Sequence, residues 1–266
     1  MKKTHFILPI TFLALWAIFS ATADPNKWDK IIPFLFNSDD SVLNAFKVLI
    51  FGYGTFFHRF DLFRHIAFSL TKVVFGYLIA VGIALPLGIA MGWRKGIGEL
   101  FYPIVELLRP IPPIAWIPIA ILWFTATKPE FFPGIYYAGF IIFIGAFFPI
   151  LLNTIIGVKG VPSILIDAAY TLGASEGDIL KKVIIPNALP SILTGMRIGM
   201  DIGWMCLVAA EIVNAQFGLG YITVIGMRLY DLGLVVAGMM LIGVIGLLID
   251  HGFRALEDRF LPWYGR

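Results

Sequence analysis

Residues Phe131–Val158 contain no Asp, Glu, Lys or Arg. A run that long and apolar belongs in lipid, where each backbone N–H and C=O must find its partner inside the structure. Only α-helices and closed barrels do this, and a continuous apolar run without alternation reads as a helix. About 20 helical residues cross a hydrocarbon core of about 30 Å. Further runs recur at Phe6–Ala23, Val73–Met91, Pro110–Thr127, about Thr194–Ala215 and Leu232–Ile249. The chain of 266 residues is 59% apolar and only 14% charged, where a soluble domain carries about a quarter. These features predict an all-α integral membrane protein of about six transmembrane helices.

The same composition excludes other classes. A net charge of +3, spread through loops, gives no footprint for a nucleic acid. Cys206 is the one cysteine, so there is no internal disulfide, and with four scattered histidines it makes no metal-ligand cluster.

Taken in order, the chain opens with Met1-Lys2-Lys3 and the run to Ala23. Ala21-Thr22-Ala23 before Asp24 resembles a signal cleavage site, but the run is long enough to span and is read as a retained first helix (residues 1–23). Residues 24–65 mix five acidic and five basic residues with aromatics, as an outer segment with interfacial helices such as Ser41–Phe51. The membrane core follows over residues 66–251, and a basic tail over 252–266. Gly76, Gly82, Gly88 and Gly92 in the second span, and Gly195, Gly199 and Gly203 in the fifth, suit close helix–helix approach. Arg109-Pro-Ile-Pro-Pro-Ile-Ala-Trp-Ile-Pro118 opens the third span and cannot be a plain helix, since interior prolines remove ladder bonds. With the amino terminus inside, Arg94, Lys95, Lys159, Lys181, Lys182, Arg197 and the tail face the cytoplasm, and the short outer loops hold only Lys128 and Arg228.

One long polar interruption, Val161–Arg197, overlaps a loop expected over residues 157–193. Pro162 suits a first helical turn, and Ile164, Leu165, Ala168, Ala169 and Leu172 share one face. Gly173 stands where a left-handed stop belongs. Ser175 with Asp178 forms a capping box opening a second run through Ile184, which Pro186 is expected to end.

These residues carry a resemblance. Asp167-Ala168-Ala169, three residues, Gly173, nine residues, then Val183-Ile184-Ile185-Pro186 resembles the EAA loop of ABC-importer permeases, with Asp in place of Glu. His65–Lys72, Pro86–Gly92, Leu108–Pro118, Phe148–Thr154, Val208–Ile212, Gly218–Tyr221, Arg254–Glu257 and Leu261–Trp263 resemble the nitrate/sulfonate/taurine/bicarbonate group, nearest to taurine permeases. The resemblance implies a MetI-like bundle in a plasma membrane, with the carboxyl terminus cytoplasmic. It implies a coupling helix carried by Asp167, Ala168, Ala169, Gly173, Ala174, Ser175 and Pro186. Expected partners are two ABC ATPase subunits, a second permease copy and a periplasmic or lipid-anchored binding protein. No cofactor is expected in this chain; ATP and magnesium would be bound by the ATPase. The cargo implied is a small anion such as taurine or an alkanesulfonate, or else nitrate or bicarbonate.

No phosphate-binding G-x4-G-K-[ST] loop, G-x-S-x-G or H-E-x-x-H occurs, so catalysis within the chain has no support. Arg109, Asp201 and Glu211 lie in or beside spans, where a charge faces a bundle interior, an aqueous path or a partner. A translocation path and a structural ion pair both remain open for each. Arg109, Trp116, Asn153, Trp204 and Glu211 are the path candidates. A secondary transporter, needing no soluble partner, is the rival class, but no inverted repeat is evident.

Overall fold

The computed structural model describes residues 42–51, 61–124, 134–214 and 216–261. Among them there is no strand. The helices are α1 (Val42–Phe51), α2 (Asp61–Trp93), α3 (Lys95–Leu108), α4 (Ile117–Phe124), α5 (Ile135–Lys159), α6 (Ser163–Thr171), α7 (Glu176–Ile179), α8 (Ile185–Asn214), α9 (Leu219–Arg228) and α10 (Leu232–Phe260). The first expected span and most of the outer segment lie outside the described residues; α1 falls where an interfacial helix was expected.

The contacts divide the chain into two units, residues 1–63 with 222–239 and residues 64–221 with 240–266. In the larger unit α5 is the central element. Its buried face runs from Tyr137 to Val158 and meets glycines from two helices. On α2, a Cβ at Gly88 would fall 2.8 Å from Thr154 Cβ, and one at Gly92 2.7 Å from Val158 Cβ. On α8, a Cβ at Gly195 would fall 2.5 Å from Asn153 Cβ, and one at Gly199 3.0 Å from the Ala146 carbonyl oxygen. Where lipid is as apolar as leucine, helices associate by such close packing, and glycine lets the backbones approach. Gly82 differs: a Cβ there meets nothing within 4 Å.

Among the described residues two apolar clusters pack this unit. Ile117, Ala120, Tyr137, Ala138, Ile141, Cys206 and Ala210 join α4, α5 and α8. Val158, Val161, Ile179, Ile184, Ala188 and Ile192 join the foot of α5 to α7 and α8, with Leu85, Ile89 and Trp93 of α2 against them. In the smaller unit Asp231 makes the α9–α10 turn, its N–H bonded to the Gly226 carbonyl at 2.9 Å and its carboxylate accepting from Leu234 N–H at 2.9 Å.

Helices α2, α5, α8 and α10 are long and apolar enough to cross a membrane, α8 as part of a continuous Glu176–Asn214 stretch. The third expected span, over Pro110–Thr127, is different. After α3 ends at Leu108, the chain turns through Arg109–Pro112 and a short 3-10 turn over Pro113–Trp116. The two halves, Lys95–Leu108 and Pro113–Phe124, meet at 85°. Pro110, Pro112 and Pro113 supply no donors across the break, where the Ile111 N–H bonds the Leu108 carbonyl and the Ala115 N–H that of Pro112. A helix as short as α4 spans roughly 12 Å and cannot cross alone.

Candidate functional site

The loop between α5 and α8 is built as two helices around a glycine. Pro162 stands at the N-cap of α6, one residue earlier than the first-turn position expected. At the other end Gly173 takes φ +79°, the left-handed conformation that glycine adopts without steric cost. Its N–H bonds the Tyr170 carbonyl at 2.9 Å and the Ala174 N–H bonds that of Ala169 at 3.1 Å. This paired closure satisfies carbonyls that a bare helix end would orphan. Ser175 then caps α7: its Oγ accepts from the Asp178 N–H at 3.2 Å and donates to Asp178 Oδ2 at 2.6 Å. Lys182 Nζ lies 2.7 Å from the same carboxylate.

Pro186 does not end the second helix. Residues Leu180–Ile184 form a π turn, closed by the Ile185 N–H on the Leu180 carbonyl, and α8 runs on from Ile185. The wider turn shifts the hydrogen-bond register just ahead of Pro186. The proline therefore sits in the first turn of the next segment, where its missing N–H costs little. The loop helix and the spanning helix are one continuous rod.

Only Ile166, Ala169 and Ala174 of the first joint turn inward, onto the cluster at the foot of α5 and α8. Ile164 is 73% exposed and Leu172 87%, and Leu165 and Tyr170 are exposed with them. Asp167 and Ala168 also stand on the open side. All of the apolar stripe read from the sequence except Ala169 therefore faces outward.

A second constellation lies at the opposite end of α8. His65, Ser69 and Lys72, spaced four and three along α2, share a face that meets Glu211 and the turn after it. Lys72 Nζ bonds Glu211 Oε1 at 3.0 Å and the Phe217 carbonyl at 2.6 Å. Ser69 Oγ donates to Glu211 at 2.8 Å and accepts from the Leu219 N–H at 2.9 Å. The Gly220 N–H donates to Glu211 Oε2 at 2.9 Å, and the Gly218 N–H to His65 Nδ1 at 2.9 Å, which places the ring proton on Nε2. Gly218 has φ +140°, and a Cβ there would land on the Glu211 carboxylate. Glu211 is 1% exposed, and its oxygens are engaged by Ser69, Lys72 and Gly220. A carboxylate so committed has little capacity left for a substrate. Sequence reasoning missed Lys72 and His65; the signal was three polar residues on one stripe of an otherwise apolar helix.

Over residues 82–262 the chain matches the family described as binding-protein-dependent transport system inner membrane component. It belongs to that family. The permease is 46% identical to a Methanocaldococcus jannaschii protein described as an ABC transporter permease, over 84% of this chain and 80% of the relative. To the taurine transport system permease protein of Escherichia coli K12 it is 39% identical, over 77% and 72% of the two chains. An inward-facing structure of the MetNI methionine ABC transporter shares the fold, with TM-score 0.66 at 21% identity over 75% of the permease and 96% of that chain. A multi-pass inner-membrane permease of MetI-like fold is thereby established.

The remaining path candidates are dispersed within the permease. Asn153 donates to the Pro149 carbonyl at 2.8 Å and its Cβ packs at Gly195, inside the α5–α8 seam. Trp204 is buried against Gly246 of α10. Arg109 is exposed at the proline break. Trp116 lies edge-on to Phe140, with centroids 6.2 Å apart, and its Nε1 is the one buried side-chain polar atom without a partner among the described residues. Near the loop end of α8, Arg197 grips Asp250 of α10 at 2.6 and 2.8 Å and reaches Glu257 at 3.5 Å. Among the described residues no group of three His, Cys, Asp or Glu could hold a metal.

Proposed function

We propose that this permease is the membrane subunit of an ATP-driven importer that carries a small sulfonate, taurine first, with nitrate or bicarbonate as the next choice. The observation that carries the coupling role is the α6–Gly173–α7 joint. It presents apolar side chains and Asp167 to solvent outside the spanning helices and continues as one rod into α8. An exposed apolar patch rimmed by polar residues is the mark of a protein-binding surface. Here the occupant is an ATPase subunit on the cytoplasmic face, which binds ATP and magnesium itself. Two permease copies with one ATPase each enclose the path, and a binding protein delivers cargo from outside.

ATP-driven closure of the ATPase pair pushes the coupling helices, and the rod through the π turn passes that displacement to α8. The cargo assignment rests on the similarity to a taurine permease and on the Arg-Pro-x-Pro-Pro run. Co-expression with a cognate ABC ATPase and binding protein from the same organism tests the reading. The ATPase should co-purify, and its hydrolysis should rise with taurine-loaded binding protein over empty protein. A permease that purifies without any ATPase, or hydrolysis indifferent to loaded binding protein, would reject it. Melting of the binding protein against taurine, alkanesulfonates, nitrate and bicarbonate decides the cargo.

A further inference from the structure

Exposed faces of the spanning helices in the larger unit differ in one respect. On α2 the open positions at mid-helix are Val74, Leu78, Ile79 and Ile83, and on α10 they are Val244, Leu247 and Leu248, all apolar and fit to meet lipid. On α8 the open stripe runs through Thr194, Ile198, Asp201, Met205 and Ile212, at spacings of four and three. Its opposite side is fixed against α5 by Gly195, Gly199 and Gly203. The stripe therefore carries an ionisable side chain amid apolar neighbours.

Asp201 has no hydrogen bond or ion pair within the described residues. Arg197, one turn away, lies within electrostatic reach but makes no direct bond to it; its guanidinium is bonded to Asp250 and Glu257. Arg254 is likewise held by Asp250, at 3.0 Å. An unpaired carboxylate facing lipid carries a heavy solvation cost. Packing it dry against a second protein surface would need a cation there.

We infer that the Thr194–Met205 stripe of α8 lines the aqueous path, and that Asp201 gives that stretch a negative potential. This rests on the permease reading above. Arg197 and Arg254 balance Asp250 and Glu257, so Asp201 is the one uncompensated charge of this group, and the wall favours a cargo carrying an ammonium beside its acid group over a bare anion. Among the cargoes considered, that is a zwitterion such as taurine rather than nitrate or bicarbonate.

The test needs no transport. Single cysteines are placed at Ile198, Met205, Val244 and Lys95 in a Cys206→Ala background, and the purified permease, with whatever subunits accompany it, is set in lipid nanodiscs open on both faces. Two methanethiosulfonates, one cationic and one anionic, are timed on each and normalised to their rates on a free thiol. Ile198→Cys and Met205→Cys should react, as Lys95→Cys does, while Val244→Cys stays silent. The cationic reagent should be faster by about fivefold or more on the stripe, and Asp201→Asn should remove that preference.

If neither stripe position reacts while Lys95→Cys does, the face is covered and the inference falls. A charge preference untouched by Asp201→Asn overturns the role of Asp201. The cargo clause has its own arm: taurine uptake by the reconstituted complex should drop about fivefold or more with Asp201→Asn at equal permease content, and unchanged uptake would refute that clause. Loss of coupling to an ATPase would leave the labelling pattern standing, so the two readings fail separately.

Discussion

Lys72 and Glu211 form an ion pair with both side chains at or below 1% exposure, and such a pair is judged by what its loss leaves behind. Lys72→Met would strand a buried carboxylate, and Glu211→Gln a buried ammonium; each should cost about 3–5 kcal/mol. The double variant removes both charges and should regain most of that loss, because desolvation of the pair largely offsets its attraction. Thermal midpoints of the four proteins in one detergent check this; additive losses would show that the residues act independently. Gly173 offers a second case. A Cβ there meets nothing within 4 Å, so a substitution is penalised only through φ +79°. Gly173→Val should pay about 1 kcal/mol or more. It should reach the membrane yet lose ATPase co-purification or stimulated hydrolysis. Gly173→Asn tolerates the left-handed region better and should keep them. Equal function in both variants would remove the joint from the coupling mechanism.

At the scale of elements, the glycines of α8 and α2 make contrasting predictions. Gly199→Val would drive a side chain into Ile150, whose Cγ1 already lies 2.9 Å from the ideal Cβ, and should cost about 1–3 kcal/mol or part the helices. Gly82→Ala meets open space and should be neutral or stabilising by up to about 1 kcal/mol. Melting midpoints separate the two; equal shifts would mean that the α5–α8 seam is looser than its distances. These seams show what a sequence discloses. Uncharged runs announced α2, α5 and α10, and a mostly apolar run announced α8, because lipid leaves few alternatives to a helix, and glycines spaced by four announced which faces pack. The stop at Gly173 and the cap at Ser175 were legible because each is set by bonds within a few residues. Helix α3 was missed because its single charged residues and amphipathic pattern place it outside any apolar run. Pro186 misled because a π turn, visible only in the hydrogen-bond register, absorbs the break. Glu211 was legible as important, but its partners lie 139 and 142 positions away, beyond any local pattern.

For the whole molecule the informative surface is the one that no spanning helix explains. Ile164 and Leu172 touch little of their own chain, so replacing both by Asp removes no core contact and should leave the thermal midpoint within about 1 kcal/mol of the parent. If the ATPase seats on them, the same change places two carboxylates in an apolar contact, where uncompensated charge is heavily penalised. Apolar contacts contribute about 25 cal/mol per Å² buried, so two such side chains are worth several kcal/mol of association. The Ile164→Asp/Leu172→Asp protein should therefore insert and melt normally while its ATPase is lost in co-purification, at least about tenfold weaker than the parent. A contact of this kind should also survive high salt, which screens exposed ion pairs but not apolar burial. Should the double variant retain its ATPase and its stimulated hydrolysis, the docking surface lies elsewhere on the permease. Loss of the ATPase from the parent in high salt would instead mean that Asp167 and its charged neighbours hold the partner, and the apolar stripe does not.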